Sequence, residues 1–451
     1  MVTPATKQEL IKKDTMHLLH PFSAVGAAPR VIWKRGQGTK LWDINAKQYT
    51  DMSSGGVQMA NLGFGRSELN DAACEQIKEL GHIFIGIPMS TAMAIEYAAE
   101  LAKVLPGDIN HIYFTNTGTE SIEVAIQIAR LFWEAKGRLD KYKIVSLTHA
   151  YHGGSVLSRS LSNIGMSCFG QPYPGIVRIG NYHCHLCPYG LKYPTCNVLC
   201  ARVLESVIED EGEDTVAAFV AEPVQGAAGV IWPPDEYWRI VRKICSDHDI
   251  LLIDDEVMAG FCRTTRMFAI EQWDVVPDIM TMAKGINSAY LPFGAVGFSD
   301  RVHDTISGDR FRGVSSSSAN PVCVATARAA LKVYTEQNLA ERAAKLGELI
   351  HQRLVNEFLP LPCVDDIMGK GLFQSFEIAL NKTTGKPFNL EATTKAREKI
   401  FSRCLEKGIF INRVDGYPRR QPISPACVIT EEELDGALNV MLSVMKQVEP
   451  V

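Results

Sequence analysis

Between about residue 70 and residue 330, short and nearly continuous apolar runs alternate with longer segments whose apolar positions recur at helical spacing. That alternation predicts an α/β fold in which a largely parallel sheet is covered by helices on both faces. The runs that read as strands are 111–114, 143–147, 217–220, 251–257, 279–282 and 294–298. Upstream, apolar and polar residues alternate from Val31 to Asp43 around a glycine-containing turn, which predicts a small antiparallel hairpin. After Asn338 the helical period returns, with Ala340, Ala343, Ala344, Leu346, Leu349 and Ile350 spaced for one buried face, and 409–411 reads as a further short strand. Two regions without the strand–helix alternation therefore flank one that has it. We expect a large domain over 76–330 and a smaller, discontinuous one built from 1–75 and 331–451.

Two of the apolar runs end in charge. The run from Leu251 stops in Asp254, Asp255 and Glu256, which is how a buried parallel strand delivers carboxylates to the mouth of a site. One of the three should face a ligand. The run 279–282 is followed closely by Lys284, 29 residues after Asp255. An ammonium among apolar neighbours is desolvated, so its pKa falls and the neutral amine becomes a nucleophile toward carbonyls. A carboxylate and such a lysine on neighbouring strand ends are what pyridoxal 5′-phosphate (PLP) requires: the lysine holds the aldehyde and the carboxylate keeps the pyridine nitrogen protonated. Two core strands with an incidental lysine are the alternative.

Leu-Leu-Ile-Asp-Asp-Glu-Val at 251–257, Pro-Asp-Ile-Met-Thr-Met-Ala-Lys-Gly at 277–285 and Leu-Pro-Phe-Gly-Ala-Val at 291–296 together resemble the class III, fold type I, PLP-dependent aminotransferases. The resemblance implies a large domain with a mainly parallel seven-stranded sheet flanked by helices, plus a smaller discontinuous α+β domain. It implies that Lys284 forms the Schiff base with PLP and that Asp255 pairs with the ring nitrogen. Thr115 to Ser121 follows a strand and opens a helix, whose unsatisfied N–H groups suit a phosphate. A plain Thr/Glu cap is the other reading of that stretch. The resemblance assigns the phosphate contact to Gly118 and Thr119. It also places Tyr151 against one ring face and Val257 against the other, with His152 and Glu222 beside the cofactor. Ser316 aligns with a threonine that reaches the phosphate of a neighbouring subunit, which implies a homodimer with shared sites.

Departures from the family pattern bear on the substrate. Gln58 stands where similar omega-transaminases often carry a bulky aromatic, and Pro422 replaces the arginine that reads an α-carboxylate in other members. Arg413 is the nearest match to a mobile arginine that pairs with the oxo acid and, in its absence, with Glu222; Arg419 and Arg420 are its rivals. Cysteine at 262 and methionine at 258 replace a common glycine and glutamine. The expected activity is transfer of an amino group from an omega-amino acid, a taurine-like or another primary amine to an oxo acid, with pyruvate favoured, through a pyridoxamine phosphate intermediate. An amino-acid racemase, epimerase or aminomutase on the same scaffold is the competing reading.

Composition narrows the partners. Hydrophobic residues make up 46% and charged residues 22% of 451, as in a globular enzyme, and a net charge of −5 without a basic stripe argues against nucleic acid. No apolar run reaches the ~20 residues of a membrane span and the N-terminus lacks a signal-like apolar core, so we expect a cytoplasmic protein. Twelve scattered cysteines suit reduced thiols. Cys184, Cys187, Cys196 and Cys200 have spacing that could ligate zinc or an iron–sulfur cluster, but PLP chemistry requires no metal and we expect none there.

Overall fold

The computed structural model describes residues 6–162, 170–313, 315–378, 380–381, 386–387, 390–412 and 419–448. The hairpin pairs β1 (Trp33–Gln37) with β2 (Lys40–Asp43), and β3 (Gln48–Asp51) extends it. The central sheet takes β4 (Ile109–Thr115), β5 (Lys143–Leu147), β6 (Ile176–Ile179), β7 (Val216–Ala221), β8 (Leu251–Asp255), β9 (Ile279–Met282) and β10 (Gly294–Ser299). Its order is β4-β10-β9-β8-β7-β5-β6, and β10 alone runs against its neighbours. The α/β fold read from the apolar pattern is the fold observed.

Residues of β7, β8 and β9 are buried throughout, which is why these strands are unbroken apolar runs rather than alternating ones. The helix Gly118–Ala135 covers one face with Ile122, Ala125, Ile128, Ala129 and Phe132, all buried. Trp133 on the same helix ties it to the sheet by donating from its indole N–H to Ala217 O at 2.9 Å.

A three-stranded sheet follows, made of β11 (Asp366–Lys370), β12 (Phe373–Glu377) and, after the pairs β13 (Leu380–Asn381), β14 (Lys386–Pro387) and the strand β15 (Ile409–Phe410), β16 (Arg420–Ile423). β15 pairs in parallel with β3, matching Ile409 to Thr50 and Phe410 to Asp51, so the two ends of the chain share one sheet. The helix Leu339–Arg353 buries Ala343, Leu346 and Ile350 on the expected face. Among the described residues, no helix is long and apolar enough to cross a membrane.

Candidate active site

β4, β5, β7, β8 and β9 point the same way, so their carboxyl ends open on one edge of the sheet. Ligands bind at that edge in open α/β sheets. Each strand end contributes. Gly118 and Thr119 follow β4, Tyr151 and His152 follow β5, Glu222 follows β7, Asp255 ends β8 and Lys284 follows β9. All of these, with Val257, line one cavity of about 420 Å³.

Pleating decides which carboxylate faces the cavity, because successive side chains of a strand point to opposite faces. Asp255 lines it; Asp254 and Glu256 do not. Glu256 Oε1 instead accepts from Ile270 N at 2.8 Å. Burial, reinforced by neighbouring carboxylates, pushes both Asp254 and Glu256 well above the usual carboxylate range. Asp255 is held on three sides. Its Oδ2 lies 2.7 Å from His152 Nδ1, and its Oδ1 accepts from Val257 N and from Thr281 Oγ1, each at 3.1 Å. Thr281 sits opposite Asp255 in the β8–β9 register. Sequence reasoning missed Thr281, although a lone hydroxyl inside Ile-Met-Thr-Met must find a partner when buried.

Lys284 lies in a left-handed conformation with φ +45°, uncommon for a residue with a side chain. Its surroundings fix the turn. Ala289 N donates to Lys284 O at 3.0 Å, and the buried Tyr334 hydroxyl donates to Gly285 O at 2.7 Å. Burial brings the Lys284 amine down to about 8, against the opposing pull of Asp255 and Glu222. Burial raises Glu222 to about 8, opposed chiefly by His152. Burial disfavours charge on His152, but its hydrogen bond to Asp255 and the charges of Asp255 and Glu222 outweigh this and raise its pKa.

At the start of the helix Gly118–Ala135, Thr117 caps the amide of Glu120 at 3.1 Å, and the first intrahelical bond is Ser121 N to Thr117 O at 2.9 Å. The capping arrangement is therefore present, and the Gly118 and Thr119 amides precede that first bond, as helix-start amides do. A Cβ on Gly118 would meet Val257 Cγ1 at 2.8 Å, so only glycine lets the loop lie this close to Val257. Tyr151 and Val257 both reach the cavity, as do Met59, Met258, Tyr290 and Phe293.

Other expected residues lie elsewhere. Gln58 is buried at φ +54° with no hydrogen-bond partner for either amide atom among the described residues, and its neighbour Met59 does the lining. Ser316 is exposed, outside the cavity, while Ser315 Oγ accepts from Asn116 Nδ2 at 2.7 Å. Arg413 lies outside the described residues. Its rival Arg420 is fully buried and paired with Glu377 at 2.9 Å and Asp366 at 2.8 Å, so it is a fixed structural cation. Cys262 occupies a left-handed position, φ +61°, which is the physical reason glycine suits this place and the strain that cysteine carries.

The cavity has features that fit PLP. It offers a lysine with a depressed pKa, a buried carboxylate for a ring nitrogen, helix-start amides for a phosphate, and the buried atoms Glu222 Oε1 and His152 Nε2, which have no hydrogen-bond partner among the described residues. A buried amine opposite an oriented carboxylate, over helix-start amides on this sheet, defines a fold type I PLP-dependent enzyme. Residues 22–445 match the family described as aminotransferase class-III, and the chain belongs to that family. It is a PLP-dependent aminotransferase. The putrescine–pyruvate aminotransferase of Pseudomonas aeruginosa is 30% identical over 99% of this chain and 98% of its own length. The taurine–pyruvate aminotransferase of Bilophila wadsworthia is 30% identical over 95% of each. Among solved structures, an (S)-enantioselective omega-transaminase from Thermomicrobium roseum superposes with a TM-score of 0.92 at 35% identity, covering 99% of this chain and all of that one.

Proposed function

We propose that this aminotransferase takes its amino group from a primary amine without an α-carboxylate, an omega-amino acid or a sulfonate-bearing amine, and delivers it to pyruvate. The observation that carries the reading is the lining of the cavity: Lys284 is present, aromatic and thioether side chains surround it, and no described lining residue is an arginine. The relatives named for putrescine and taurine both use pyruvate, which supports the same choice. Arg420, locked in its ion pairs, is not free to read a carboxylate, which leaves Arg413 and Arg419, and we assign the oxo acid to Arg413, the nearer of the two in sequence to the β15 strand end.

When bound, PLP supplies an aldehyde that condenses with amines and a ring that takes up electrons from the substrate carbon. The chain does the rest. Lys284 Nζ would hold the cofactor, and as a free amine it is the base placed to take a proton from the substrate carbon and give it back. Its depressed pKa keeps a usable neutral fraction near pH 8. Asp255, fixed by His152, Val257 and Thr281, keeps the ring nitrogen charged. Gly118 and Thr119 would receive the phosphate, and Tyr151 and Val257 would confine the ring.

The working unit we infer is a homodimer. Ile87 is 85% and Ile95 61% exposed, and both line a second depression that also includes Ser315. Apolar surface of this kind marks an association site, and a second copy would bring the serine run to the neighbouring phosphate site.

A donor screen tests the substrate assignment: putrescine, taurine, β-alanine and L-ornithine, each offered with pyruvate or 2-oxoglutarate and followed by cofactor absorbance. Turnover with pyruvate and a simple amine is expected. Preference for 2-oxoglutarate would contradict the acceptor, and α-proton exchange without any oxo acid would point to racemisation.

A further inference from the structure

Between β6 and the helix Leu199–Glu211, residues 180–198 form neither helix nor strand. Structureless loops of this length are uncommon inside compact domains unless something else holds them. Its contacts with the rest of the protein include polar ones: His185 Nε2 to Asp365 Oδ2 at 2.8 Å, and the Tyr193 hydroxyl to Glu236.

Cys184, Cys187, Cys196 and Cys200 all line one small cavity inside this loop, although their sequence spacing would let them point four ways. All are free thiols. Bringing Cys196 and Cys200 to the same wall requires left-handed backbone at Asn197 and Val198, φ +49° and +51°. A β-branched residue in left-handed backbone is a genuine outlier. The transamination machinery uses none of these residues.

We propose that Cys184, Cys187, Cys196 and Cys200 form a structural Zn²⁺ site that staples the 180–198 loop. This revises the expectation of no metal. The C-x₂-C and C-x₃-C arms supply four thiolates, which close a tetrahedral zinc site and leave no open position for chemistry. Each thiol releases its proton to solvent on binding. Zinc–sulfur bonds of ~2.3 Å place the sulfurs about 3.8 Å apart. No three of these sulfurs lie within 4.8 Å of one another here, so binding draws the two arms inward around the cavity. His183, Asp366 and Glu377 do bring three ligand atoms within 4.8 Å, but both carboxylates already pair with the Arg420 guanidinium, whose positive charge disfavours a second cation there.

The staple also touches the active site. Tyr182, on the cavity wall, donates its hydroxyl to Glu222 O at 2.8 Å, and Asn181 donates to Gln225 Oε1 at 2.8 Å. Zinc would thus steady the strand end that carries Glu222.

Elemental analysis of untagged holoenzyme expressed with added zinc and dialysed against metal-free buffer tests the site. About one zinc per chain is expected, falling below about a tenth in Cys184→Ser/Cys187→Ser. Stripping the wild type with a chelator should expose four additional reactive thiols and lower the melting temperature, and Co²⁺ refilling should give thiolate-to-cobalt charge-transfer absorption. These wild-type measurements hold even where the double variant does not fold. Zinc-free wild type with the same thiol count before and after chelator, zinc retained in the folded double variant, or iron in place of zinc would each overturn the assignment.

Discussion

His152 Nδ1 and Asp255 Oδ2 lie 2.7 Å apart on the buried floor of the cavity, and the pair is the electrostatic foundation of the site. The imidazole orients one carboxylate oxygen, and Val257 N and Thr281 Oγ1 hold the other. A carboxylate so fixed can balance a charged ring nitrogen without moving.

Asp255→Asn keeps the shape and removes the charge. A charged hydrogen bond contributes ~1.5–3 kcal/mol, so the amine half-reaction should slow roughly ten- to a hundredfold while the denaturation midpoint changes little. Losing its anionic partner, His152 should also become easier to deprotonate, a fall visible by NMR titration. Rapid-mixing absorbance measures the half-reaction. Unchanged kinetics would transfer the role to another group.

Glu222 makes a prediction about stability. Folding raises its pKa from 4.5 to about 8, so between those values the folded protein keeps a proton that the unfolded chain has released. The contribution is fully present below pH 4.5 and is lost as pH rises through about 8. Glu222→Gln has no proton to lose. In urea unfolding of the apo-protein, the variant should therefore gain on wild type steadily from pH 5 to pH 8, whereas a constant difference would show that Glu222 stays ionised.

Gly118 tests the phosphate loop. A Cβ there would press on Val257 Cγ1 at 2.8 Å, and relieving such overpacking costs about 1–3 kcal/mol. Gly118→Ala should weaken PLP retention in equilibrium dialysis by a corresponding factor, since the loop must back away from the site. Retention equal to wild type would place the phosphate elsewhere.

The proposed dimer predicts a concentration dependence. If the serine run completes the neighbouring phosphate site, dilution that separates the subunits should release PLP in parallel. Sedimentation and bound cofactor measured across one dilution series check this, and a fully loaded monomer would contradict it.

The centre of the sheet was legible because β7, β8 and β9 are buried on both faces, whereas the half-buried edge strand β6 was not read from the apolar pattern. Unbroken apolar runs such as Leu251–Ile253 have no other reading once they end in charge. The site was legible for the same reason, since Asp255 and Lys284 interrupt those runs at the cavity edge. β12 was not. All five residues of Phe373–Glu377 are buried, but Gln374, Ser375 and Glu377 hide that, and each draws on partners far away in sequence: Gln374 on Gly347 O, Ser375 and Glu377 on Arg420. Arg420 misled in the same way, because a surface-like sequence, Pro-Arg-Arg-Gln, places a guanidinium in the core. Gln58 and Met59 depended on a turn with left-handed backbone that no local pattern announces.

The central claim, that Lys284 is the residue to which the cofactor is bound, is tested most directly by borohydride reduction of the holoenzyme followed by peptide mass spectrometry. The account predicts one pyridoxyl-modified peptide per chain, with the modification on Lys284. A pyridoxyl group found on any other lysine, with Lys284 unmodified in the loaded enzyme, would contradict it.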